Sequence, residues 1–277
     1  MGPKAVRMAK AKSMMEAKER IAKSEQILKE YDAIISDPNH EFTIEICIHC
    51  FNFQRRLTWM LNSILQQTGD IPNLIINISH TDNDGTPTTD EVCRFFRDKG
   101  LNIKELLMDK DKVHNRAVAR NIQIKETMAD YILFADSDMV YEPLFFADLK
   151  KQLQSNLKNE KKVMGANRIS LNDSFCIDFF KKDKSIYPCV IPDVAQVLSK
   201  FPVKWVVGKF VAPGNFQLAS VRAIKEKGSI YSGRQADVWR MTRSDRQFRN
   251  YMGGNVPINV LKMFHLNHER NGPQFQK

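Results

Sequence analysis

The sequence has no long hydrophobic run. Nothing in its 277 residues approaches the roughly 18–20 consecutive apolar residues that a membrane-spanning helix requires. The first thirty residues are mostly Lys, Ala, Met and Glu and lack the apolar stretch of a secretory signal. Cysteine is scarce. The five residues, Cys47, Cys50, Cys93, Cys176 and Cys189, are an odd number in scattered contexts. That usage predicts reduced thiols in a cytoplasmic protein rather than a disulfide framework. Cys47 and Cys50 have the C-x-x-C spacing, but they fall in a strand-like run that turns them to opposite faces, and no second pair follows at zinc-site spacing. There is no internal repeat and no low-complexity segment.

What is present is the composition of a folded protein, 43% hydrophobic and 27% charged, of a length suited to one large domain or two small ones. The net charge is +10, and its position is more informative than its size. Residues 200–277 hold 14 Lys and Arg against 4 acids, so the whole excess lies there, and residues 1–199 balance at 28 of each sign. That asymmetry points to a polyanionic partner meeting the last third of the chain. The plainer alternative is a solvated basic face.

Residues 4–36 read as one helix, with Met14, Ala17, Ile21, Ser24, Leu28, Tyr31 and Ile35 on one stripe. The stripe is short, which suits packing on the domain better than a coiled coil. Lys4, Arg7, Lys10 and Lys12 precede it, and Asp37-Pro38-Asn39 ends it. Strands and helices then alternate. Strands are predicted over 42–51, 73–79, 103–108 and 131–135, and helices over 55–67, 90–99, 115–128 and 143–157. This order predicts an α/β fold whose mostly parallel central sheet is flanked by helices. In such sheets ligands sit at the carboxyl ends of the strands. After residue 160 the pattern is less regular. Residues 163–166 suggest one more strand, and Pro188, Pro192 and Pro202 break the stretch before 205–211.

Asp136 and Asp138 end the wholly apolar run Tyr131–Ala135. Two carboxylates at i and i+2, where a central strand gives way to a loop, can converge on one divalent cation such as Mn²⁺ or Mg²⁺. Such ions take oxygen ligands and share them with substrate phosphates. A D-x-D triplet alone is common in turns; its place after a buried strand gives it meaning.

The surroundings of the triplet resemble the GT-A glycosyltransferases, specifically the family-2-like group. Ala119-Arg120-Asn121 precedes the apolar strand that ends in Asp136-Ser137-Asp138. Cys50-Phe51-Asn52 resembles the group's first strand and aromatic-Asn loop, Ser63–Gln67 its Ser-Leu-x-x-Gln helix, and Ile76–Ser79 with Asp82 and Asp84 its second strand and acidic turn. Four motifs in order cover residues 42–150. The resemblance implies a nucleotide-sugar donor, UDP-glucose favoured, and a bound Mn²⁺ or Mg²⁺. It places Phe51 and Asn52 along the nucleotide, Asp82 or Asp84 on its base or ribose, Arg120 near the diphosphate or sugar, Asp136 on ribose or metal, and Asp138 on the metal. It divides the chain into an N-terminal basic helix (1–40), a nucleotide-sugar-binding half (41–160) and an acceptor-binding half (161–277).

The later motifs are looser. Pro213–Leu218 resembles the acceptor-side Gly-x-Phe strand, followed by a helix over 220–227. Gly233–Arg240 lies where the group carries Gly-x-Glu-Asp. Ala236 replaces one acid and leaves Asp237 as the general base that takes the acceptor hydroxyl proton. Met263–Asn271 resembles the group's late His-Leu-x-His segment, with His265 as a metal ligand and His268 nearer the phosphate. Arg234, Arg240, Arg243, Arg246 and Arg249 cluster near Asp237 with Tyr231, Trp239, Phe248 and Tyr251 interleaved, a combination suited to backbone phosphates and stacked bases. Size and this combination resemble the bacteriophage transferases that glycosylate hydroxymethylated or glucosylated cytosine, which implies DNA as acceptor. An anionic glycan or lipid-linked sugar is the second acceptor reading. A non-catalytic nucleic-acid-binding protein on the same scaffold is the reading from another class.

Overall fold

A computed structural model describes residues 15, 22, 25–82, 84–110, 112–113, 115–155, 157, 160–182, 188–207, 215–227, 244–258 and 263–266. The elements follow the local sequence. Strand β1 (Thr43–His49) is buried along almost its whole length, as a central parallel strand must be. Helix α2 (Gln54–Leu65) places Leu57, Met60, Leu61 and Ile64 on the face turned to it. Strand β2 (Asn73–His80) pairs in parallel with β1 from Thr43↔Asn73 to His49↔Ser79. Helix α3 (Thr89–Asp98) opens on a full capping box: Thr88 accepts from the Glu91 amide while the Glu91 carboxylate accepts from the Thr88 amide. Strand β3 (Ile103–Leu107) pairs with β2, and helix α4 (Arg116–Glu126) is capped by the Asn115 side chain. Strand β4 (Tyr131–Asp136) returns beside β1, with Ile44↔Tyr131 and His49↔Asp136 in register.

Among the described residues, two sheets are present. The large one has seven strands in the order β10-β6-β9-β4-β1-β2-β3. Here β6 is Val163–Ala166, β9 is Phe216–Ser220 and β10 is Asn255–Ile258. All run parallel except β9, which is antiparallel to β4 and β6. A four-stranded sheet, in the order β5-β11-β7-β8, follows directly from Asp138. Its strands are β5 (Met139–Tyr141), β7 (Arg168–Leu171), β8 (Val203–Val207) and β11 (Met263–His265). The remaining helices are α5 (Phe145–Gln154), α6 (Asp173–Lys182), α7 (Val194–Ser199), α8 (Val221–Glu226) and α9 (Ser244–Tyr251).

The β1 and β4 side chains alternate between two cores. Ile44, Ile46, Ile48, Tyr131, Leu133 and Ala135 join α2, α3 and α5 on one side. Cys47, Ile132 and Phe134 join α4, α8 and α9 on the other. Cys47 and Cys50 therefore lie in different cores, as the strand reading requires, and none of the five cysteines forms a disulfide. Residues 25–35 form helix α1, the described part of the N-terminal helix. Tyr31 is buried and donates to the Ala129 carbonyl at 2.9 Å, and Asp32 pairs with Arg222. This end of the stripe packs on the domain; Lys4, Arg7, Lys10 and Lys12 lie outside the described residues.

The expected alternation up to residue 154 is present, with boundaries shifted by at most three residues. The second half is richer than expected. The strand over 163–166, the strand ending at 218 and the helix over 220–227 are present as β6, β9 and α8, but the described residues of that half hold six strands and four helices in all. The strands are only three to five residues long, and runs that short carry little period-2 signal.

Candidate active site at the carboxyl ends of the strands

Because β1 to β4 run parallel and in register, their carboxyl ends bring four loops to one edge. The β1 loop carries Phe51 and Asn52. Phe51 is half-buried against Met108, Val113 and Ala119, and Asn52 is exposed with φ 58°, a conformation that asparagine tolerates better than most residues. The β2 loop carries both candidate acids, and the structure separates them. Asp84 is buried, and its carboxylate accepts from the Thr89 amide (2.9 Å) and hydroxyl (2.5 Å). The Gln54 side chain holds the Asp84 carbonyl at 2.8 Å. Asp84 is thus engaged inside the protein as an anchor of its loop, while Asp82 is exposed.

Next to this loop, buried His80 bonds the Glu105 carboxylate at 2.9 Å, and Arg97 bonds the same carboxylate. Burial would lower the His80 pKa, but the Glu105 hydrogen bond, the Thr81 carbonyl and the Glu105 charge outweigh it and raise it above the ordinary histidine value. Burial also opposes ionisation of Glu105, yet His80 and Arg97 hold its pKa below the usual value.

The turn Asp136-Ser137-Asp138 joins β4 to β5. Asp138 is 3% exposed. Its carbonyl accepts from the Leu266 amide at 2.8 Å, which docks the end of β11 against it. His265 Nε2 then lies 3.2 Å from Asp138 Oδ2. Burial works to lower the His265 pKa, but the charge and hydrogen bond of Asp138 outweigh it and raise it. Asp136 is more open and is engaged by Arg116, the first residue of α4, at 2.7 Å.

Two further cations face this corner. Arg56 on α2 donates to the Leu266 carbonyl at 3.2 Å, and Arg168 on β7 is close enough to act on His265. Burial lowers the Arg56 pKa, and the Asp138 charge offsets part of that. Asn215 accepts from the Asp136 amide at 3.4 Å through its carbonyl.

Arg120 is placed elsewhere than expected. It is buried, paired with Asp245 of α9 at 2.6 Å, and its guanidinium lies 5.1 Å from the Phe134 ring centre. Arg116, one helical turn earlier, holds the place beside Asp136. Sequence reasoning missed Arg116 and Arg56, although a signal existed. Both lie in the first turns of helices that follow parallel strands, and such turns open at the ligand-binding edge. Arg168 had no such signal, because its strand was not expected. Asp237, His268, Arg234, Arg240 and Arg243 lie outside the described residues. Arg246 is exposed and Arg249 half-buried on α9.

The donor set fits a divalent cation in part. Two ligand atoms set at right angles on an octahedral ion, each at about 2.0–2.2 Å, stand about 3 Å apart, close to the Asp138–His265 separation. A buried carboxylate facing a half-buried imidazole suits Mn²⁺. Among the described residues no three His, Cys, Asp or Glu side chains are grouped as a metal cage. Asp138 and His265 fit as a pair of ligands, and Asp136 faces Arg116. A separate groove of about 640 Å³, lined by Phe42, Ile64, Leu74, Leu101 and Lys150, lies at the amino ends of β1 and β2 and has no part in this corner.

Comparisons with known proteins bear on the fold. Residues 45–173 match the family model described as glycosyl transferase family 2. The fold is similar to crystal structures of S. aureus TarS 1–349 (12% identity, TM-score 0.53, 80% of this chain and 60% of that one). It is similar to the same protein in complex with UDP (13%, 0.54, 80% and 60%) and with UDP-GlcNAc (13%, 0.51, 83% and 59%). The chain thus spans about 60% of the length of these structures. No curated protein matches it by sequence. No helix among the described residues is long and apolar enough to cross a membrane. The mixed α/β architecture, a large central sheet flanked by helices, is consistent with the GT-A fold.

Proposed function

We propose that this chain moves a sugar from a UDP-sugar to an acceptor hydroxyl at the carboxyl edge of β1, β2 and β4, with inversion at the anomeric carbon. The observation that carries the proposal is the Asp138–His265 contact beside the Arg116–Asp136 pair. It supports the reading because two side chains of metal-ligand type and a guanidinium lie at the carboxyl edge of the sheet, where ligands of α/β sheets bind. The UDP and UDP-GlcNAc complexes of TarS support the choice of uridine donor; UDP-glucose is the first sugar to test.

In this reading the half-buried Phe51 ring offers a face to the uracil and exposed Asp82 accepts from the base or ribose. Arg116 and Arg56 bring positive charge to the diphosphate, where charge-assisted hydrogen bonds are strongest. Asp138 and His265, with Asp136, would hold a Mn²⁺ or Mg²⁺ ion, which when bound supplies electrostatic stabilisation of the leaving diphosphate. The acceptor oxygen forms its bond to the anomeric carbon as the bond from that carbon to the diphosphate oxygen breaks. Its proton passes to Asp237, assigned as base from sequence. One displacement inverts the configuration.

For the acceptor we propose DNA carrying hydroxymethylated or glucosylated cytosine. The support is the +10 excess of residues 200–277 and the arginines at 234, 240, 243, 246 and 249. An anionic glycan is the second reading, supported by the same charge. A thermal-shift assay tests the donor half: UDP with Mn²⁺ raises the melting temperature by linkage. A nucleotide-release assay with a donor panel, with and without modified DNA, tests the rest. Release that is indifferent to DNA, and stimulated by an anionic glycan, would replace the DNA reading with the glycan one.

A further inference from the structure

Arg116 and Arg120 stand four residues apart on α4 and so share one face, yet they reach different parts of the molecule. Arg116 bonds Asp136 at the nucleotide-sugar corner. Arg120 bonds Asp245 in the first turn of α9. The second pair is enclosed on several sides. The Arg120 side chain is 3% exposed. Its guanidinium lies over Phe134 of β4, and the Phe134 ring meets Phe248 of α9 edge-on at 5.6 Å. Gln217 of β9 donates to the Asp245 carbonyl at 3.1 Å. The start of α9 is therefore held at once from α4, β4 and β9.

A buried ion pair contributes little net stability, because desolvation offsets most of the attraction. It does impose direction: an arginine fork donates to a carboxylate in few geometries. Here it fixes the first turn of α9 to the turn of α4 that follows Arg116. The counter-ion of Arg116 is Asp136. A diphosphate brings further negative charge to the same spot and competes for that guanidinium. The first turn of α4 and Arg120 belong to one hydrogen-bonded helix, which offers a physical link between the two ion pairs.

We infer that Arg120 is a positioning residue rather than a donor contact, and that through Asp245 it conveys the state of the nucleotide site to α9 on the acceptor side. The inference rests on the nucleotide-binding reading above and adds a link between the two halves.

Hydrogen exchange of the full chain, with and without UDP and Mn²⁺, tests it. In the wild type, UDP and Mn²⁺ should slow exchange of the amides of residues 244–251 about fivefold or more, the lower end of typical coupling between sites. The double variant R120M/D245N removes both charges, so no uncompensated ion is left buried. It should show the wild-type UDP-induced rise in melting temperature while the added protection of α9 disappears. Equal protection in the double variant, or none in a wild type that binds UDP, overturns the inference and leaves the donor site standing. Loss of the UDP effect on melting in the double variant makes Arg120 a donor contact and overturns it as well. A wild type whose melting ignores UDP and Mn²⁺ overturns both this inference and the donor reading.

Discussion

His265 Nε2 stands 3.2 Å from Asp138 Oδ2. One side chain closes the turn after a central strand, and the other arrives on β11, the last described strand. Their meeting places an imidazole and a carboxylate at the distance two ligands of one cation adopt. Asp138→Ala and His265→Ala should therefore each remove the Mn²⁺-dependent part of UDP binding and lower kcat/KM by about a hundredfold or more. Titration of Mn²⁺ into the UDP complex, followed by melting temperature, checks the binding part. A variant that kept the full Mn²⁺ response would show that its residue is not a ligand.

Arg116→Ala should weaken UDP binding while leaving the fold intact, since the side chain is partly exposed and its partner Asp136 is open to solvent. One lost hydrogen bond between charged groups contributes about 1.5–3 kcal/mol, or roughly ten- to a hundredfold in Kd. Calorimetric titration with UDP measures it. Arg116→Lys should recover only part of the loss, because an ammonium lacks the forked geometry.

Asp82 and Asp84 should separate cleanly. Asp84→Ala removes the acceptor of two hydrogen bonds at the start of α3 and should lower stability by about 1–3 kcal/mol. Asp82→Ala should leave the melting temperature unchanged and raise the Kd for UDP. The opposite pattern would return Asp84 to the nucleotide.

The His80–Glu105 contact gives a pH signature. A histidine whose folded pKa is raised adds stability that is full below its unfolded pKa of about 6.5. That stability is lost as pH rises through the folded pKa. Glu105 has a lowered folded pKa, so its contribution is full above the unfolded carboxylate value and is lost as pH falls through the folded one. The pair should stabilise most between those limits. Denaturant titrations at a series of pH values should show wild-type stability declining above about 6.5, with a smaller decline in His80→Asn. Identical slopes would remove His80 as the cause.

Much of the fold up to residue 154 was legible in the sequence, because its signals are local. The run Tyr131–Ala135 has no polar residue, Thr88 and Glu91 announce the start of α3, and Leu57, Met60, Leu61 and Ile64 repeat at helical spacing. Asp136, Asp138 and His265 were legible as motif members, although only the fold brings the late histidine to the early carboxylate. The small sheet was not legible. Strands β5, β7 and β11 hold three or four residues each, and their burial comes from neighbours distant in sequence, such as Trp59 beneath Val140 and Phe264. The destination of Arg120 was hidden for the same reason. Nothing near it in sequence indicates Asp245, whereas its neighbour Asn121 drew attention to the sugar.

Strand β11 lies between β5 and β7, pairing antiparallel with Met139–Tyr141 and parallel with Ile169 and Ser170. An inner strand delivered from so late in the chain ties the carboxylate after β4 to the far end of the described sequence. The seven-stranded sheet needs none of residues 263–266 for its hydrogen bonds, although Met263 packs into its core. On the proposed reading, loss of β11 would therefore remove the Asp138–His265 contact while leaving the large sheet's ladder without a missing partner.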